Sequence, residues 1–144
     1  MGNDEGIRAV GGRPMRRPNW ALLAGAAETG GSFELFTETR PGLGGPPPHI
    51  HRDREEGFFV LAGRYVFVRG TDEIEVGPGQ FVLVPRGTRH HFRTLVEPSE
   101  TLILIAPAGL EGFFNGMGER MAAGATALEA MTALSATFDS HPVD

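Results

Sequence analysis

HIHRDREEGFFVLAG, residues 49–63, packs two histidines, three carboxylates and an apolar run into one short segment. His49 and His51 stand two apart, so on a strand their rings share one face. Glu56 follows five residues after His51, directly ahead of the FFVL run, and His90 opens a later apolar segment behind the turn Pro85-Arg86-Gly87. Three imidazoles and one carboxylate converging inside a barrel make a nitrogen and oxygen site for one divalent metal ion. Fe, Mn, Ni, Cu and Zn all suit such donors, and positions stay open for water, substrate or dioxygen. A lone His-x-His pair is a weak signal. Glu56 and His90 give it weight.

Outward from this segment the chain reads as short strands separated by turns. FFVLAG (58–63) and YVFV (65–68) lead to a turn at 69–72, and EIEV (73–76) returns from it. Gly77-Pro78-Gly79 precedes QFVLV (80–84), and HHFRTLV (90–96) is followed by a turn at 97–99 and TLILIA (101–106). That spacing predicts a sandwich or barrel. Upstream, SFELFTET (32–39) is a strand ended by Pro41 and Gly42, and GLGGPPP (42–48) is a stiff loop running into His49. The apolar stretch 20–27 either begins the first strand or covers the barrel end. Residues 1–19, rich in Gly, Arg and Pro, read as a flexible N-terminal arm.

The last part changes character. Leu110, Phe113, Phe114, Met117 and Met121 recur at helical spacing, although Gly112, Gly116 and Gly118 oppose a helix. A second helix is predicted over 127–138, with Thr126 and Glu129 at capping-box spacing and a stripe of Leu128, Met131, Leu134 and Phe138. The expected organisation is thus an arm (1–19), a barrel (20–108) and a helical tail packed on it (109–144).

Composition removes several chemistries. The 144 residues suit one domain, and a net charge of −5 offers no cationic footprint for nucleic acid. There is no cysteine, which excludes disulfides, thiolate metal sites and a cysteine nucleophile. All 13 basic residues are arginine, which excludes Schiff-base lysines and a P-loop. No run reaches the ~18 apolar residues of a membrane span. The acidic start without an apolar core leads us to expect a cytoplasmic protein.

Here a resemblance enters. His49-x-His51-x4-Glu56-x6-Gly63 resembles the first cupin motif, and Gly79-x5-Pro85-x-Gly87-x2-His90 resembles the second. The resemblance implies an all-β cupin fold, a double-stranded β-helix or jelly-roll barrel, with His49, His51, Glu56 and His90 as metal ligands. The context from Trp20 through LEGFF to the tail is similar to the quercetin 2,3-dioxygenase-like subgroup. Thr94 departs from the second motif's usual Asn, and Leu43, between Gly42 and Gly44, from the first motif's Gly. Gly57 is small where the subgroup often has a larger residue, which predicts space on the barrel's other face.

Alternation then sketches the cavity. Phe58 and Val60 share the face of Glu56, and Phe92 and Thr94 share that of His90, so these four are the expected substrate-binding residues. Such a wall favours a small, largely apolar organic substrate held to the metal through oxygen. Glu55 and His91 should face away, His141 should be inert, and Arg64, Arg86, Arg89 and Arg93 should be solvated charges. The resemblance implies that Glu56 is both ligand and catalytic base. The expected function is a dioxygenase-like oxidoreductase acting on a phenolic or polyketide-like substrate. The alternatives are a non-redox isomerase, cyclase or epimerase, and a ligand-binding cupin without turnover. Phe59, Leu61 and the 102–105 run suggest a sheet face buried in a homodimer.

Overall fold

Alternation decides which side chains are buried. From Ser99 to Ala106, Ser99, Thr101, Ile103 and Ile105 are buried while their neighbours stay partly exposed. A computed structural model describes residue 7 and residues 9–143. Its strands are β1 (Arg13–Pro14), β2 (Trp20–Ala24), β3 (Glu34–Arg40), β4 (His49–Ile50), β5 (Glu55–Ala62) and β6 (Tyr65–Arg69). They continue with β7 (Asp72–Val76), β8 (Phe81–Val84), β9 (His91–Thr94), β10 (Ser99–Ala106) and β11 (His141–Pro142). The helices are α1 (Ala26–Thr29), α2 (Glu111–Ala122) and α3 (Ala127–Leu134).

The strands form a six-stranded sheet in the order β1-β2-β3-β10-β5-β8, a three-stranded sheet β7-β6-β9 and a pair β11-β4. Every pairing among the described strands is antiparallel. Between the two larger sheets lie the rings of Phe58, Phe67 and Phe92, with centroids 4.8 to 5.5 Å apart. This is the expected β-barrel with a helical C-terminal part. Two expected strands shift at their ends. β5 begins at Glu55, so Glu56 sits on the strand itself, while β9 begins at His91 and His90 joins only as a bridge.

Residues 1–6 and 8 of the expected arm lie outside the described residues. From Arg13 onward the segment is anchored, which corrects the expectation of an arm reaching to 19. β1 pairs with β2, and the Arg16 N–H donates to Asn115 Oδ1 at 2.8 Å. The helices share one core with the barrel: Phe114 meets Trp20 at 4.4 Å and Phe36 at 5.0 Å between centroids.

The glycines that argued against α2 are what seat it. A Cβ on Gly112 would meet Phe138 at 2.8 Å, and one on Gly116 would meet Leu134 at 2.9 Å. On Gly118 it would strike the Arg16 backbone. The helix approaches its neighbours too closely for any side chain there, and the packing outweighs the low helix propensity of glycine. The capping box at Thr126 and Glu129 is formed, yet α3 stops at Leu134, earlier than the expected Phe138. Gly57 leaves no open space outside the barrel, because the Phe81 ring from β8 occupies it, 2.5 Å from where a Cβ would stand. Leu61, Phe81 and Leu83 are exposed on that outer face. No helix among the described residues is long and apolar enough to cross a membrane.

One buried carboxylate couples barrel to tail. Glu34, at the start of β3, accepts from the Leu110 N–H at 2.8 Å and the Glu111 N–H at 3.1 Å, which caps the start of α2. Donors at a helix N-terminus have no intrahelical partner and favour negative charge. Glu34→Ala strands both donors, and we expect a loss of about 3 kcal/mol, read as a lower urea midpoint at unchanged slope. Glu34→Gln, which keeps an acceptor, should lose less. Equal stability of Glu34→Ala and the parent would contradict this coupling.

Candidate metal centre

His49 and His90 face each other across an antiparallel bridge and exchange both backbone hydrogen bonds, each 3.0 Å long. Side chains of such a directly opposed pair leave the same side of the sheet, and here the ring centroids stand 4.4 Å apart. His51 is carried to the same side by its two-residue spacing. Its carbonyl accepts from the Gly87 N–H at 2.6 Å, so the second motif's turn is hooked onto the first motif's histidine. Glu56 enters from β5, paired with Ile105 and Val84. All four residues are buried, and one ligand atom from each lies within 4.8 Å of the others.

The orientation of the rings decides the chemistry. Nδ1 of His49 lies 2.8 Å from the Pro47 carbonyl, that of His51 2.9 Å from the Asp139 carbonyl, and that of His90 2.8 Å from the Thr88 carbonyl. A carbonyl only accepts, so each Nδ1 carries the proton and donates, and each neutral ring keeps its lone pair on Nε2. The Nε2 atoms of His51 and His90 lie 3.0 and 3.3 Å from Glu56 Oε1. Acceptor thus faces acceptor, and a shared cation relieves the conflict.

Ionisation agrees with that geometry. Burial, reinforced by the neighbouring His90 and His51, pushes His49 down to about 3, so its ring stays neutral. Burial alone would raise Glu56, but the charges of His51 and His90 and their hydrogen bonds hold it below the usual carboxylate range. Burial would lower His51, but the Glu56 charge and hydrogen bond outweigh it and raise the ring above its ordinary value. A proton on His51 and a metal ion compete for the same Nε2 lone pair, which faces Glu56 Oε1. Three imidazole nitrogens and one carboxylate oxygen, oriented by carbonyls behind them, fit a divalent ion of the borderline series.

The tail braces this loop. Asp139 Oδ1 and Oδ2 accept from the Arg52 and Asp53 N–H groups, each at 2.8 Å, and Oδ2 pairs with Arg54 at 3.0 Å. His141, expected to be inert, lies 3.2 Å from Asp139 Oδ1 and pairs with Ile50, between two of the histidines. The clamp is not visible in a local reading, since Asp139 is more than 80 residues from Arg52, Asp53 and Arg54.

A cavity of about 100 Å³ opens over the cluster. Phe58 and Phe92 line it, as expected. Val60 and Thr94 do not, which corrects their place on the wall. The Phe58 and Phe92 rings meet 5.5 Å apart and close the barrel beneath them, with Val60 fully buried in the core beyond. Thr94 Oγ1 instead donates to the Gly42 and Gly44 carbonyls at 3.1 and 3.3 Å. The upper wall comes from Phe113, Phe114, Met117 and Met131, which had been read only as packing. Arg17, Glu38 and Arg40 also line the cavity and were not anticipated. Glu55 turns away and pairs with Arg86, and His91 lies half-buried on the opposite face. Arg64 pairs with Glu75, Arg93 with Glu73, and Arg89 is exposed.

Comparison with known proteins agrees with this architecture. The cupin domain family matches residues 35–105. Quercetin 2,3-dioxygenase of Bacillus subtilis is 27% identical over 115 residues, 80% of this chain and 33% of that protein. Oxidoreductase iacF of Pestalotiopsis fici is 38% identical over 96 residues, 65% of this chain and 44% of that protein. The chain therefore spans less than half the length of either curated relative. The crystal structure of the polyketide cyclase RemF from Streptomyces resistomycificus superposes with a TM-score of 0.55 at 25% identity, covering 70% of this chain and 78% of that one. With both motifs converging in one buried cluster and the barrel formed around it, the chain belongs to the cupin superfamily.

Proposed function

We propose that this chain is a metal-dependent enzyme of the dioxygenase-like kind, acting on a small, largely apolar phenolic or polyketide-like substrate. The carrying observation is the cluster of three Nε2 lone pairs and one carboxylate beside a cavity walled mainly by aromatic and apolar side chains. When bound, a divalent ion supplies Lewis acidity to a substrate oxygen and, if redox-active, electron transfer to dioxygen. The rest falls to the protein. The three histidines stay neutral and fixed by their Nδ1–H bonds. Glu56 Oε1, held anionic, takes the proton from the substrate's hydroxyl or activated carbon. The Phe58, Phe92, Phe113 and Phe114 rings exclude water and position an apolar body.

A non-redox reading also has support. The likeness to the polyketide cyclase covers most of that chain, whereas the likeness to quercetin dioxygenase covers a third of it. In that reading the same Glu56 moves a proton during cyclisation or isomerisation and no dioxygen is consumed.

Elemental analysis of the chain purified without chelator is expected to find about one divalent ion per protein. Glu56→Ala should lose it and Glu55→Ala should retain it; the reverse pattern would overturn the ligand assignment. Because a proton and the ion compete for the same His51 lone pair, affinity should weaken by about tenfold per pH unit as pH falls below the raised His51 pKa. A flat affinity across that range would show that no proton is displaced.

Oxygen-electrode measurements on the Fe-, Mn- and Ni-loaded chain with a panel of flavonols and polyketide-like phenols separate the two readings. Substrate-dependent uptake supports the oxygenase. Product formed by the zinc-loaded chain under argon supports the cyclase or isomerase instead.

The outer face with Leu61, Phe81 and Leu83 we assign to a second copy of this chain, because cores of homodimer interfaces are apolar and monomers seldom expose such patches. Light scattering at micromolar concentration is expected to give a dimer, and Leu83→Glu a monomer. A monomeric parent would contradict the assignment.

A further inference from the structure

The inward face of β3 reads Glu34, Phe36, Glu38, Arg40, so charge is buried at both ends of one strand. Glu34 is accounted for by the helix it caps. Glu38 and Arg40 are not: they line the cavity that His49, His51 and Glu56 line, and they are not part of the metal cluster. Glu38 is 3% exposed. Its Oε2 accepts from Trp20 Nε1 at 3.0 Å and is ion-paired with Arg40, also at 3.0 Å. Glu38 Oε1 and Arg40 Nε are buried without a hydrogen-bond partner among the described residues. Buried polar atoms are normally satisfied, and a charged group left half-paired in the interior is destabilising.

The Arg40 guanidinium lies over the Phe92 ring at 5.0 Å, and that of Arg17 over Trp20 at 4.8 Å. Arg17, Trp20, Glu38, Arg40 and Met121 line both the inner cavity and an adjoining outer groove of about 380 Å³. They therefore form the boundary between the two. Two guanidiniums and one carboxylate leave this boundary with one net positive charge. Aromatic rings on both sides supply apolar contact, and guanidinium forks match carboxylate geometry.

We propose that the Arg40 end of the cavity recognises an anionic group, and that the substrate is a singly charged organic acid with an apolar ring. The acidic group sits at Arg40 and Arg17 while the ring extends over Phe92 towards the histidine cluster. Glu38 holds Arg40 in place and limits the site to one negative charge. This rests on the reading of the cavity as a substrate pocket and narrows the substrate class.

Trp20 is the only tryptophan of the chain and touches Glu38, so its fluorescence reports on this end of the cavity. The zinc-loaded full chain is titrated with phenylacetate and with its neutral counterpart phenylacetamide, with zinc content measured in parallel. Phenylacetate is expected to bind about tenfold more tightly. Arg40→Gln should abolish that preference and Glu38→Gln alone should increase it. Since Arg40→Gln leaves Glu38 buried without its partner, the double variant Arg40→Gln with Glu38→Gln removes both charges together and should also show no preference. Equal affinity for the two probes in the parent overturns the proposal, as does a preference that survives the double variant. Absent zinc with the Arg40-dependent preference intact would instead count against the metal reading alone.

Discussion

Three imidazole lone pairs and a carboxylate oxygen meet at the closed end of the cavity, and the surrounding structure prevents them from turning away. Each ring is held from behind by a backbone carbonyl, so none can rotate to offer its N–H to Glu56. Burial removes water as an alternative partner. A site so arranged is unsatisfied by its own atoms and calls for a cation. The protein provides direction and dryness, and the ion provides the charge that makes the arrangement stable.

The carbonyls come from distant places, which ties the centre to the whole chain. Pro47 belongs to the proline loop before β4, Thr88 to the turn before His90, and Asp139 to the tail. The tail's position depends on α2, which Glu34 caps from the barrel and which glycines seat against Leu134 and Phe138. Loosening the tail would therefore loosen His51. Because an ion that binds only the folded arrangement stabilises it by mass action, cavity, tail and metal form one cooperative unit.

Much of this was legible in the sequence because it is local. The alternation of the strands, the two-residue spacing of His49 and His51 and the capping box of α3 all follow from short-range geometry. The inward end of β3 was not legible: in SFELFTET, Phe33 and Leu35 occupy one parity and Phe36 the other, so the pattern does not say which face is buried. With the face undecided, nothing in the pattern marks Glu38 and Arg40 as inward. The depth of Val60 and Thr94 was missed for a related reason, since parity gives the side of a strand but not the level within the barrel. The Asp139 clamp spans most of the barrel in sequence and leaves no periodic trace. The helix glycines pointed the wrong way because propensity describes an isolated helix, whereas α2 is held by its neighbours.

The most direct test of the central claim is an anomalous difference map from crystals of the protein purified without chelator. One strong peak about 2.0–2.2 Å from Nε2 of His49, His51 and His90 and from a Glu56 oxygen is the expected result. A map without a peak there, or with the ion held elsewhere and Glu56 still hydrogen-bonded to His51, would contradict it.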